Sequence, residues 1–196
     1  MFFLTQPRDS VIREFLLSQR NGSFSYPEVG ATASDSPASY NVDHYRIKLG
    51  EGEELFARAC DAIRRWAMFD LGWVRLVNSD APIERGATVA VLARHLGFWS
   101  LNACRVVYVV DEEDSLRKRF GFAYGTLADH IERGEERFTV ELNRGEETVW
   151  YNILAFSRPN QLLIKLGYPV ARLLQKRFGR DSTLAMLREV QGTCRG

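Results

Sequence analysis

Cysteine is scarce in this chain and never paired in spacing. Cys60, Cys104 and Cys194 are far apart, odd in number, and form no CxxC. A disulfide framework and a structural zinc site are therefore not expected, and a reducing compartment is. Long runs of one charge are also missing. Twenty-six Lys and Arg interleave with 25 Asp and Glu for a net charge of +1, which speaks against a surface dedicated to nucleic acid or to an anionic membrane. The first residues, MFFLTQPRDS, lack the basic start and apolar stretch of a signal peptide, and no window approaches the length of a membrane span. There is no GxSxG elbow, no P-loop, and no GxGxxG at a strand-to-helix junction, so no nucleotide cofactor is expected. These absences together predict a soluble cytoplasmic protein with no cofactor, no metal, no nucleic-acid partner and no stable membrane insertion. A homodimer stays open.

What is present is enough apolar matter for a core, 45% of 196 residues, and the length suits one domain, residues 1–196. The spacing predicts a helix over 9–20, DSVIREFLLSQR, with Val11, Phe15 and Leu16 on its apolar stripe. Residues 1–22 are read as this N-terminal helix, 23–47 as a long loop, and 48–196 as the core. The 23–47 stretch is rich in Ser, Ala, Gly, Pro and Asp and shows no sustained period. Its aromatics Phe24, Tyr26, Tyr40 and Tyr45 suit a loop lying against the body. A second helix is expected over 51–69, with acids in its first turn.

From residue 72 the pattern turns to strands: 72–77, 87–95, 98–111, 118–126, 136–142 and 147–157, then a long helix over 168–191 that Gly179 interrupts. Strands that follow one another without intervening helices favour an antiparallel sheet. The expected fold class is α+β: a helix-grip-like curved antiparallel sheet of about six or seven strands, wrapped around a long C-terminal helix, with N-terminal helices.

The stretch Cys104 to Pro159 carries a specific resemblance. CRVVYV, FGFAYGTL, HIERGEERF and AFSRP, with Tyr26 and VGAT, LGEGEELF and WAMFDLGWV upstream, resemble the signature of the uncharacterised family known as the domain of unknown function nineteen-ninety. The likeness runs from about Tyr26 to Phe178. After Leu127 the chain departs from the pattern, with Ala128-Asp129 in place of a glycine or proline. The family is itself similar to the helix-grip superfamily of START-like and pollen-allergen-like proteins. That resemblance implies an apolar cavity between sheet and C-terminal helix, and it implies no particular ligand.

Several residues could carry chemistry. In strand 118–126, Arg119, Gly121, Ala123 and Gly125 share one face, and Phe120, Phe122, Tyr124 and Thr126 the other. The small-residue face leaves room either for the terminal helix or for a ligand. Glu136 alternates with Phe138, Val140 and Leu142, which turns its carboxylate toward the apolar side. There it must pair or take up a proton, with Arg105, Arg119 or Arg158 as candidate partners. The alternative is a turn of solvated charges over 130–137. Tyr108, Tyr124 and Tyr151 could offer inward hydroxyls, or simply be core. Trp150 and Asn152 share a face in 147–157, where Asn152 needs a hydrogen-bond partner. Arg158 closes that strand, where it could clamp an anion or anchor the loop. A Cys104–His44 nucleophile pair has no supporting signature.

The leading expectation is thus a binding module for a small apolar or amphipathic ligand, lined by Tyr108, Arg119, Gly121, Ala123, Tyr124, Gly125, Glu136, Trp150, Asn152 and Arg158. The first alternative is a cyclase-, hydratase- or isomerase-type enzyme with Glu136 as acid or base. The second is an interaction module that docks through an exposed aromatic cluster in the 23–47 loop.

Overall fold

A computed structural model describes residues 1–34, 37–160 and 168–192. Cys194 lies outside them. In chain order the elements are β1 (Phe2–Phe3), α1 (Asp9–Gln19), β2 (Asn41–Glu51), α2 (Glu53–Arg64), β3 (Val74–Val77), β4 (Thr88–His95), β5 (Phe98–Glu113), β6 (Arg117–Thr126), β7 (Glu132–Asn143), β8 (Thr148–Pro159) and α3 (Tyr168–Gln191), with short 3-10 turns at Ala31–Ala33 and Ala67–Phe69. The strands form one antiparallel sheet in the order β2-β8-β7-β6-β5-β4-β3, with β1 added alongside β5. From β3 to β8 each strand pairs with the next, as the meander pattern predicts. The fold is a curved antiparallel sheet gripping a long C-terminal helix.

The sheet is covered on both faces. On the inner face α2 and the turn after it bring Leu55, Ala59, Ile63, Trp66 and Met68 onto Phe122, Phe138, Val140 and Tyr151. Complete burial of such side chains contributes about 1.5–3 kcal/mol each. The C-terminal half of α3 joins this core through Met186 and Val190. On the outer face α1 sets Ile12 and Phe15 against Ala90, Leu92, Leu101 and Ala103. Arg105 closes that helix. Its guanidinium donates to the carbonyls of Gln19, Arg20 and Gly22 at 2.7–2.8 Å, satisfying helix-end acceptors that would otherwise need water. The segment before β2 covers a further part of the outer face, where Tyr26 and Tyr40 pack edge-on against Phe156.

Four expectations need correction. Residues 41–47 are strand, not loop: β2 pairs along β8 from Asn41↔Ser157 to Glu51↔Thr148. Asp43, Tyr45, Ile47 and Leu49 turn inward and the residues between them outward. The polar residues on the exposed side of this edge strand hide its period. Helix α2 stops at Arg64 instead of running to 69. Trp66 adopts a left-handed conformation (φ 57°), which drops its indole onto Phe122 at a centroid distance of 4.6 Å. Strand β7 begins at Glu132, so most of the charged 130–137 run is strand and not a solvated turn. Helix α3 passes Gly179 without a break. A Cβ there would lie 2.3 Å from the Tyr45 ring, so the glycine admits that ring rather than ending the helix.

Candidate functional site

A cavity of about 580 Å³ lies between the inner face of the sheet and the N-terminal half of α3. It sits beyond the part of the inner face that α2 fills. Phe69, Trp73, Val91, Phe98, Leu174 and Phe178 supply apolar wall. The polar groups come from a few strand positions. Asp43, Ala155, Glu136 and Tyr124 are directly opposite one another across β2, β8, β7 and β6, so one row crosses four strands and all four residues line the cavity. The next row inward, Tyr45, Ile153, Phe138 and Phe122, is almost wholly apolar.

Glu136 accepts a hydrogen bond from the Tyr124 hydroxyl at 3.0 Å. Burial pushes its carboxyl up to about 8, and the negative charges of Glu132 and Asp43 add to the rise while the Tyr124 bond opposes it. Glu132, four residues back on the same face, is pushed up to about 7 by burial. Its bond from Gln175 and the nearby Arg172 act against that. Gln175 reaches down from α3 and also donates to Ser157 at 2.9 Å. Arg172, one turn before it, grips Asp43 with both terminal nitrogens at 2.6 and 2.8 Å. That paired geometry ties the N-terminal half of α3 to β2. His130 accepts the Glu132 amide at Nδ1, 2.9 Å away, which assigns its proton to Nε2. Burial lowers its pKa to about 3, so the ring is neutral. Among the described residues no three or more His, Cys, Asp or Glu are grouped to hold a metal ion.

Of the ten residues expected to line the cavity, Tyr124 and Glu136 do. The other eight lie on the outer face of the sheet or at its margin. Gly121, Ala123 and Gly125 form the small-residue face as grouped, but neither the terminal helix nor the cavity covers it. At Gly125 the Tyr26 ring does: a Cβ there would lie 2.1 Å from its hydroxyl, whereas a Cβ on Gly121 would meet the β7 backbone at Phe138. Tyr108 is redirected by a bulge between Val106 and Tyr108. Val106 opposes the inward Tyr124, whereas Tyr108 opposes Ala123 and bonds to Thr32 at 2.7 Å. The extra residue flips the side-chain phase. Arg119 pairs with Glu112 on the surface, and Arg105 is committed to α1, so neither meets Glu136. Trp150 lies under the Arg46 guanidinium at 4.2 Å. Asn152 opposes Thr139 and Arg46 on that same side. Arg158 stacks over Tyr40 at 4.4 Å, an anchor for the covering segment. Tyr151 is core, its hydroxyl 3.2 Å from Ser182. Cys104 is buried on the inner face while His44 points outward from the edge strand, so that pair is not assembled.

Sequence reasoning missed Glu135. Its buried carboxylate faces the outer side and accepts from the Tyr26 hydroxyl and the Gly30 amide at 2.7 Å, from the Thr32 amide at 3.0 Å, and from the Thr32 hydroxyl. Arg137 donates to the Thr32 carbonyl at 2.6 Å. These bonds hold the 26–32 segment down, and the loop aromatics face the sheet rather than solvent. A buried acid among backbone amides leaves no sequence period. The signal that could have found it is the adjacency Glu135-Glu136, which in a strand must send one carboxylate to each face.

No helix of the described residues is long and apolar enough to cross a membrane. The chain is 38% identical to a UPF0548 protein of Dictyostelium discoideum, over 97% of this chain and 96% of that one. It is 32% identical to a UPF0548 protein of Arabidopsis thaliana, over 98% and 100%. Among solved structures, Ara h 8.0201 superposes with a TM-score of 0.47 at 9% identity, covering 79% of this chain and 99% of that one. Human STARD10 superposes with a TM-score of 0.45 at 12% identity, covering 94% and 81%. The family pattern matches residues 25–185, and with relatives of this identity aligned over nearly its whole length, the protein belongs to the family described as Domain of unknown function (DUF1990).

Proposed function

We propose that the protein is a binding module that holds a small amphipathic molecule in the cavity between the sheet and α3. The observation that carries this reading is the cavity itself. At about 580 Å³ it exceeds the roughly 300 Å³ at the lower end of ligand sites, and its wall is mostly apolar with a few polar groups. A packed core does not leave such a space by default, because interiors fill to crystal-like density. Native mass spectrometry of protein purified from its own host tests the reading. The expected result is a mass increment of one small molecule, lost on denaturation. A bare polypeptide mass under conditions that preserve non-covalent complexes, together with no uptake of apolar probes, overturns it.

One observation favours a second reading, that of an enzyme of the cyclase, hydratase or isomerase type. Glu136 lines the cavity, has no arginine partner, and has a carboxyl pushed up to about 8 by burial, within the range where a side chain can both give and take a proton near neutrality. The discriminating experiment is to incubate the compound recovered from the protein with fresh protein and with the E136Q variant. Conversion by the first and not by the second would establish the enzyme. Recovery of the compound unchanged from both leaves the binding module.

A further inference from the structure

We infer that the cavity selects an amphiphile whose polar end is an amine, with the ammonium group seated on Glu136, over one ending in a carboxylate or phosphate. This rests on the binding-module reading above and names its ligand class. Asp43, Glu132 and Glu136 line the space, Glu135 borders it with its carboxylate turned to the outer side, and among the described residues no Lys or Arg lines it. The guanidinium that reaches one of these carboxyls is Arg172, on Asp43. That guanidinium is already engaged. It makes two bonds to Asp43 and a third, at 2.6 Å, to Gln175 Oε1. The two lining histidines offer no cation in compensation, since burial lowers the pKa of both His95 and His130. An anionic head group would therefore enter a site with no uncommitted positive partner and with carboxyl groups beside it.

Unused acceptors, by contrast, are at hand. Glu136 receives Tyr124 on Oε2, and Oε1 has no hydrogen-bond partner among the described residues. Glu132 receives Gln175 on Oε2, and its Oε1 is likewise without one. A buried carboxyl left half-satisfied is costly, and a ligand ammonium with three donors removes that cost while supplying the countercharge. Glu132 lies four strand residues away, about 13 Å along the backbone, so it deepens the negative potential rather than sharing the head group. Bound ammonium stabilises the ionised form of Glu136, whose carboxyl otherwise holds its proton near neutrality. Uptake of an amine then releases a proton. The tail has the apolar wall of Phe69, Trp73, Leu174 and Phe178 to lie against.

Calorimetric titration of the full chain at pH 7.5 with dodecylamine, dodecanol and dodecanoate, each below its micelle concentration, tests this. Dodecylamine should bind about 10-fold or more tighter than dodecanol, the scale of one charge-assisted hydrogen bond, with dodecanoate weakest. Its apparent heat should differ between buffers of different ionisation enthalpy, reporting the released proton. The E136Q variant, shown to be folded by its circular dichroism and cooperative melt, should lose the preference for amine over alcohol. Equal binding of amine and alcohol, or preference for dodecanoate, overturns the head-group assignment and leaves the cavity reading standing. Unchanged amine affinity in a folded E136Q overturns it as well. If none of the three binds, the cavity reading falls and takes this inference with it.

Discussion

Glu135 and Glu136 are neighbours in the chain and live in different worlds. Strand alternation sends one carboxylate to the outer face and the other to the inner. On the outer face Glu135 meets four donors from the segment that covers it. On the inner face Glu136 meets one hydroxyl and a cavity. The outer acid is structural because its acceptors are used. The inner acid is available because they are not. The sheet thus keeps a closed side and a receptive side, and the difference lies in how many partners the covering element provides.

The strongest way to break this contrast is Glu135→Ala. It strands four buried donors, each at about 1–3 kcal/mol, so urea denaturation should show a loss of about 4 kcal/mol or more, or failure to fold. Limited proteolysis should then cut the 26–32 segment first.

Glu136→Gln should act in the opposite direction. The Glu136 carboxyl sits at about 8 in the folded chain, above the ordinary value of 4.5, so the folded state holds the proton more tightly than the unfolded one. Stability therefore falls as pH rises from about 4.5 to about 8. Glutamine cannot ionise. The variant should flatten that decline and gain on the order of 4 kcal/mol at pH 8, read from melts across the window. Glu132, pushed up to about 7, leaves a smaller residual slope.

The same substitution at two glycines sharpens the comparison further. Gly125→Ala drives a methyl group into the Tyr26 hydroxyl, which is tied to Glu135, and should cost about 2 kcal/mol as overpacking. Gly179→Ala drives one into Tyr45, which borders the cavity. That ring can yield into open space, and a mid-helix alanine recovers about 1 kcal/mol. The variant should keep or gain stability while weakening uptake of an apolar probe. The smallest effect is expected at Arg158→Ala, which removes a stacking contact with Tyr40 worth about 0.5–1 kcal/mol and should leave probe binding unchanged.

Periodicity alone carried the meander, the terminal helix and the inward turn of Glu136, because each depends on a strong local alternation. It also grouped Gly121, Ala123 and Gly125 correctly, yet could not say which face the helix would cover. That choice is made by Tyr26, about a hundred residues before Gly125, and by α2, which ends more than fifty residues before β6, so no local signal reports it. Tyr108 was misassigned because a single bulge reverses the phase, and a bulge of one valine among several leaves no mark. Gln175, which lines the cavity, and Arg172, which holds Asp43, stand on a helix whose sequence signal is its apolar face. Asp43 was hidden in a strand that reads as loop.

That strand has a kinetic meaning. β3 to β8 can zip in chain order, each hairpin short. β2 instead pairs with β8 across about a hundred residues, a long closure with a high entropic cost. Asp43 arrives only with it, and only then can Arg172 bring the start of α3 down. The meander can therefore pair without β2. The space that Asp43, Glu136 and Tyr124 border is complete only once that strand has docked.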